Sequence, residues 1–127
     1  MWYMSLTFIG VGAVLGAWLR YGLGLFLNPI FPTLPLGTLS ANILGGFLIG
    51  IFMGLTKDNA IIPLEMRLAI TTGFLGSLTT FSTFSAETLH LINHQQFFWT
   101  SVIIASHLLG SLVATCIGFY SVKLLNS

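Results

Sequence analysis

Eight hydroxyl side chains fall within fifteen positions of one apolar stretch: Thr71, Thr72, Ser77, Thr79, Thr80, Ser82, Thr83 and Ser85. Two phenylalanines, Phe81 and Phe84, stand among them, and Gly73 and Gly76 come just before. A single hydroxyl in an apolar helix satisfies itself by bonding a carbonyl one turn back. Eight exceed that need, so some of these donors are expected to face a wet or ion-lined surface. The glycines mark an expected break around Gly76-Ser77-Leu78-Thr79. Non-helical backbone at membrane depth is tolerated only where protein or a water-filled cavity covers it. Carbonyls freed by such a break are hard oxygen ligands of the kind that hold Na⁺. Phe81 and Phe84 share a helical face at i, i+3. There they either pack, or turn their positive ring edges toward an anion.

Other polar residues interrupt the grease. Asn42 lies four residues after Thr38, on the same face. It makes either an interhelical hydrogen bond, worth about 0.6 kcal/mol and at most ~1.7, or part of an ion path. Arg20 either snorkels to the interface or supplies a vestibule charge that attracts anions. Ser106 adds a hydroxyl in the last apolar segment, with His107 beside it expected on a different face. Catalysis finds no foothold here. A Ser106–His107 hydrolase fails because adjacent helical residues do not face each other, and an intramembrane aspartyl protease needs a second carboxylate beside Glu87. Glu87 itself receives no role from the sequence. His90 and His94, at i, i+4, are a metal pair or two interfacial histidines. Cys116 reads as a small buried hydrophobe.

The elements that position these residues follow from composition. The chain has 127 residues, 55% hydrophobic and 6% charged, with a mean hydropathy of +0.96. Soluble domains carry about 25% charged residues, so lipid must be the solvent for most of this surface. A net charge of +1 gives no basic face for nucleic acid. Crossing ~30 Å of hydrocarbon takes ~20 mostly apolar residues. Four segments qualify, at about residues 6–27, 36–56, 63–92 and 97–125. Pro29, Pro32 and Pro35 form a stiff connector, Lys57-Asp58-Asn59 stops the second segment, and Pro63 opens the third as an N1 residue. The polar run Asn93-His94-Gln95-Gln96 separates the last two. The first segment reads as a span and not a cleaved leader, and the whole as one all-α transmembrane domain with its third helix broken.

Four spans place both termini on one side. Lys57, Arg67 and Lys123 fall on that side against Arg20 on the other, a weak bias by the positive-inside rule. Weak bias permits insertion both ways, and so an antiparallel, dual-topology pair. Gly12-x-x-x-Gly16 and Gly46-x-x-x-Gly50-x-x-x-Gly54 let helix backbones approach closely, either inside one subunit or between two.

Three stretches together resemble the small four-helix fluoride channels of the Fluc (CrcB) family. They are Gly16-Ala17-Trp18-Leu19-Arg20-Tyr21, Gly37-Thr38-Leu39-Ser40-Ala41-Asn42-Ile43-Leu44-Gly45, and the long run from Gly73 to Glu87. Ser106-x-x-x-Gly110 matches more loosely, with Val102 where the family often has tyrosine. The resemblance implies a passive fluoride channel of the inner (plasma) membrane that lowers cytoplasmic fluoride. It implies an antiparallel homodimer with two pores and a structural Na⁺ on the two-fold axis, held by backbone carbonyls of Gly76 and Thr79. Phe81 and Phe84 would present ring edges to fluoride, with Asn42 beside them. Ser82, Thr83, Ser106 and Thr38 would extend a polar track, and Arg20 would stand at an entry.

Two other readings compete. A small multidrug-type proton-coupled exporter needs a carboxylate in its first helix, and here only Arg20 and Tyr21 ionise there. A non-transport assembly subunit explains the glycines and leaves the hydroxyls without a purpose. Energetics favour a crowded path. Taking an ion out of water costs on the order of 20 kcal/mol by the Born estimate, and one hydrogen bond to a charged group returns only ~1.5–3 kcal/mol. A row of donors is therefore required, each weak enough to release the ion again.

Overall fold

The computed structural model describes residues 1–57 and 61–127, and every regular element among them is helical. Helices α1 (Trp2–Leu27), α2 (Leu36–Thr56) and α6 (Phe97–Leu125) are each long and apolar enough to cross a membrane. The first begins four residues before the predicted start, since nothing in Trp2-Tyr3-Met4-Ser5 breaks a helix. Part of the Lys57-Asp58-Asn59 stop lies outside the described residues. Trp18, Phe26, Leu109 and Leu112 are among many exposed apolar side chains, which suits lipid and not water. This is an integral membrane protein.

The remaining helical column is in pieces: α3 (Leu64–Leu68), a π-helix (Ala69–Leu75), α4 (Gly76–Leu78), two extended residues, then α5 (Phe81–Asn93). The predicted break is therefore present, and it opens at the last residue of the expected Gly76–Thr79 stretch. Gly73 and Gly76 are helical, and the chain extends at Thr79 (φ −84°, ψ 152°) and Thr80 (φ −149°, ψ 111°). β-branched residues are stiff and suited to extended backbone, and a side chain from α2 takes the Thr80 amide, as described below. Gly73 serves close packing instead. A Cβ there would lie 2.5 Å from the Ile9 carbonyl and 3.2 Å from the Gly12 Cα. Gly12 and Gly16 return the contact, with would-be Cβ atoms 2.9 Å from the Phe74 nitrogen and 3.0 Å from that of Leu78. The wide π turn has no signature in residue types.

On α2, Gly46, Gly50 and Gly54 face α6, where Cβ atoms would press on Ser111, Thr115, Phe119 and Val122. Gly118 answers from α6 against Phe47 and Ile51, and Thr115 Oγ1 donates to the Gly46 carbonyl at 2.8 Å. Both glycine stripes are thus occupied inside the subunit. The start of α2 is capped from the preceding turn: Asn28 Oδ1 accepts the Gly37 and Thr38 amides at 2.7 and 3.2 Å. Those amides would otherwise be stranded at a helix N-terminus. Two buried clusters fill the interior, Ala41, Leu75 and Leu78 at the break, and Leu34, Phe84, Leu91 and Ile103 beyond it.

Candidate functional site

The break strands backbone groups on both of its sides, and their partners define the site. In a continuous helix the Thr80 amide would bond the Gly76 carbonyl. Here Thr80 N–H donates to Asn42 Oδ1 at 2.7 Å, and Asn42 Nδ2 donates back to the Thr80 carbonyl at 3.1 Å. The second Nδ2 proton goes to His107 Nδ1 at 2.9 Å. All of the Asn42 amide's donors are thereby engaged within the protomer. Thr80 also caps α5: its Oγ1 accepts the Thr83 amide at 3.2 Å and donates to Thr83 Oγ1 at 3.0 Å. In a continuous helix that Thr83 amide would have bonded the Thr79 carbonyl.

Gly76 and Thr79 therefore lose the amides that a continuous helix would give their carbonyls. Hard oxygen donors freed in this way fit a monovalent cation. No side chain obstructs Gly76, whose would-be Cβ meets only the Thr71 carbonyl, at 3.5 Å. The Ser77 carbonyl takes Arg20 Nε at 3.0 Å. Arg20 thus turns inward to hold the end of α4 and does not snorkel. It lines a cavity of about 260 Å³ with Asn28, Thr38, Thr80 and Thr83. Thr38 is buried and its hydroxyl donates to Glu87 Oε1 at 2.6 Å, which gives Glu87 the partner the sequence left unnamed.

Past the break, Phe81 and Phe84 occupy the first turn of α5, where uncompensated amides and the helix dipole favour negative charge. Their rings meet nearly edge to face, 5.5 Å between centroids and 65° between planes. Phe84 is 7% exposed and Phe81 73%, so the pair runs from the interior to the outer face of the protomer. Ser82 is exposed, with its hydroxyl 3.4 Å from that of Thr80. A groove of about 500 Å³ joins the two sides of the break. Its lining includes Asn42, Gly76, Thr79, Phe81, Phe84 and His107.

The fourth span differs from expectation. Ser106 is absent from the groove lining, and its hydroxyl turns back to the Val102 and Ile103 carbonyls at 2.7 and 3.2 Å. His107, expected on another face, is the residue that meets Asn42, and Ser111 one turn later lines the same groove. Helical phase was the available signal. Ile103, His107, Ala114 and Gly118 are buried on one stripe of α6, and Ser106 lies about 100° away from His107.

A helical membrane protein with one span broken, its Thr80 backbone bonded by a side chain of another helix and the break lining a groove, has the construction of an ion-handling membrane protein. Comparison with known proteins narrows that class. Residues 7–119 match the family model described as CrcB-like protein, Camphor Resistance (CrcB), and the chain belongs to that family. A fluoride-specific ion channel FluC of Nitrosospira multiformis is 60% identical over 119 residues, covering 94% of this chain and 93% of its own. Channels of the same name from Thiobacillus denitrificans and Aromatoleum aromaticum are 50% and 51% identical. Those two matches cover 92% and 87% of this chain, and 94% and 85% of the relatives.

Proposed function

We propose that this protein is a passive fluoride-selective channel, not an enzyme, and that it lowers cytoplasmic fluoride across the inner membrane. The observation that carries the reading is the first turn of α5, where two phenylalanine edges, capping hydroxyls and a helix N-terminus converge beside the break. Names of relatives alike over nearly the full chain supply the identity of the anion. In liposomes, fluoride efflux is expected to be rapid and passive while chloride efflux stays near background. Equal rates for both ions, or flux that requires a proton gradient, would overturn the reading.

The protomer is half of an antiparallel, dual-topology homodimer in this proposal. Phe81 leaves the protomer exposed, as does the Gly76 backbone, and a second copy would cover both. Weak charge asymmetry between the loops suits two opposite insertions. Na⁺ would sit on the two-fold axis, held by the Gly76 and Thr79 carbonyls of each copy. It would supply a fixed positive charge near the anion path, which screens poorly in a dry interior. Ser82, Thr83 and Thr38 form the polar track beyond the rings, Arg20 lines the entry, and Asn42 holds the break open. One experimental dimer structure tests the assembly and the cation together. A parallel pair, or an axis with no ion at those carbonyls, would sink this part.

A further inference from the structure

A close pair of metal-ligating side chains stands apart from both the groove and the smaller cavity, at the far end of α5. His90 lies in the last turn of that helix, and His94 follows as its C-cap. Residues at i and i+4 share a face, and here the imidazole centroids are 4.2 Å apart with planes inclined by 37°. Bonds from zinc to imidazole nitrogen are about 2.0–2.1 Å, so one ion can join two nitrogens up to about 4 Å apart. Rings at this separation can present such a pair.

The tautomer of His94 is fixed by its partner. Its Nδ1 lies 2.8 Å from the His90 carbonyl oxygen, which can only accept, so Nδ1 carries a proton. The neutral ring then keeps its lone pair on Nε2. Ligating histidines almost always give their other ring N–H to a carbonyl or carboxylate, which sets the ring's orientation and raises its basicity. A capping bond alone would account for His94, but not for a second imidazole lying against it.

The backbone under the pair is held as well. The His94, Gln95 and Gln96 amides bond the His90, Ile92 and Leu91 carbonyls at 3.2, 2.9 and 2.9 Å. A helix C-terminus carries partial negative charge, which favours a cation beside the last turn. Both side chains are exposed, and among the described residues no cluster of three or more His, Cys, Asp or Glu surrounds them. Imidazole suits copper, nickel and zinc, whereas Mg²⁺ and Ca²⁺ prefer oxygen ligands.

We propose that His90 and His94 form a surface site for a borderline divalent transition-metal ion, held by two imidazoles with water in the remaining positions. Copper(II) is the probe, because it heads the affinity order of this series and its EPR spectrum reports coordinated nitrogen. Full-length protein without a polyhistidine tag is expected to take up Cu²⁺ with the spectrum of two imidazole nitrogens. His90→Gln and His94→Gln, both at exposed positions, should each weaken binding at least about tenfold and lower the nitrogen count. Excess Zn²⁺ should compete for the site, and Mg²⁺ should not. Absence of copper binding, a spectrum and affinity unchanged in both variants, or competition by Mg²⁺ equal to that by Zn²⁺ would overturn the proposal. Fluoride flux plays no part in this readout, so the channel reading stands or falls separately.

Discussion

Replacing Phe81 or Phe84 with isoleucine is expected to slow fluoride efflux by roughly 30-fold for each ring, with the protein still inserted and assembled. Isoleucine keeps apolar bulk but has no quadrupole, so what is lost is the attraction between a positive ring edge and the anion. With the magnitude of a desolvated cation–ring contact, about 2 kcal/mol, taken as the scale for an anion at the ring edge, the loss is roughly 30-fold in rate. The two positions should differ in their side effects. Phe84 belongs to a buried cluster and stacks on His107, so its replacement also loosens packing. Phe81 is mostly exposed on the protomer, and its loss should register in flux far more than in protomer stability. Wild-type efflux in both variants would remove the rings from the mechanism.

Asn42→Ala is expected to abolish conduction and to lower the unfolding temperature in detergent. One side chain here closes three hydrogen bonds, to the Thr80 amide, the Thr80 carbonyl and His107 Nδ1. Alanine strands all three groups at a site covered by protein, at a cost of about 1–3 kcal/mol for each buried group left unpaired. Refolding of the break into continuous helix would recover the Thr80 amide, and it would also withdraw the Gly76 carbonyl. Either outcome removes the geometry on which the proposed cation and anion sites both depend. A variant with native melting and native flux would show that the break holds without this side chain. The expected loss is larger than an isolated interhelical hydrogen bond gives, typically about 0.6 kcal/mol, because this one side chain closes three bonds.

Much of this site was open to sequence reading, because membranes simplify the problem. Long apolar runs can only be helices, so spans 36–56 and 97–125 coincide with α2 and α6. Phe81, Phe84, Asn42, Thr80 and Gly76 stand out there as polar, aromatic or small residues against leucine, and the structure brings them to one groove. The break itself is legible to within a residue, but not what holds it open. Glycine in the sequence points to a break, whereas Gly73, Gly12 and Gly16 are used for backbone contact between α1 and the third column. A glycine required for close approach and one required for a break look the same in a sequence. Hydroxyl chemistry points to Ser106, whereas the face of α6 turned toward α2 carries the next residue, His107.

The sequence by itself determined the solvent, the number of spans, the polar stretch at their centre, and, through resemblance, the family. Those properties depend on composition and local order, which a linear chain displays. Only the tertiary structure decided where the third column parts and how the polar groups around the parting are paired. Each of these depends on a hydrogen bond between residues far apart in the chain: Asn42 with Thr80, Asn42 with His107, Arg20 with Ser77, and Thr38 with Glu87. A buried donor is satisfied or stranded according to what lies across from it. In the stretch from Gly73 to Glu87, what lies across is Asn42, supplied by a different helix.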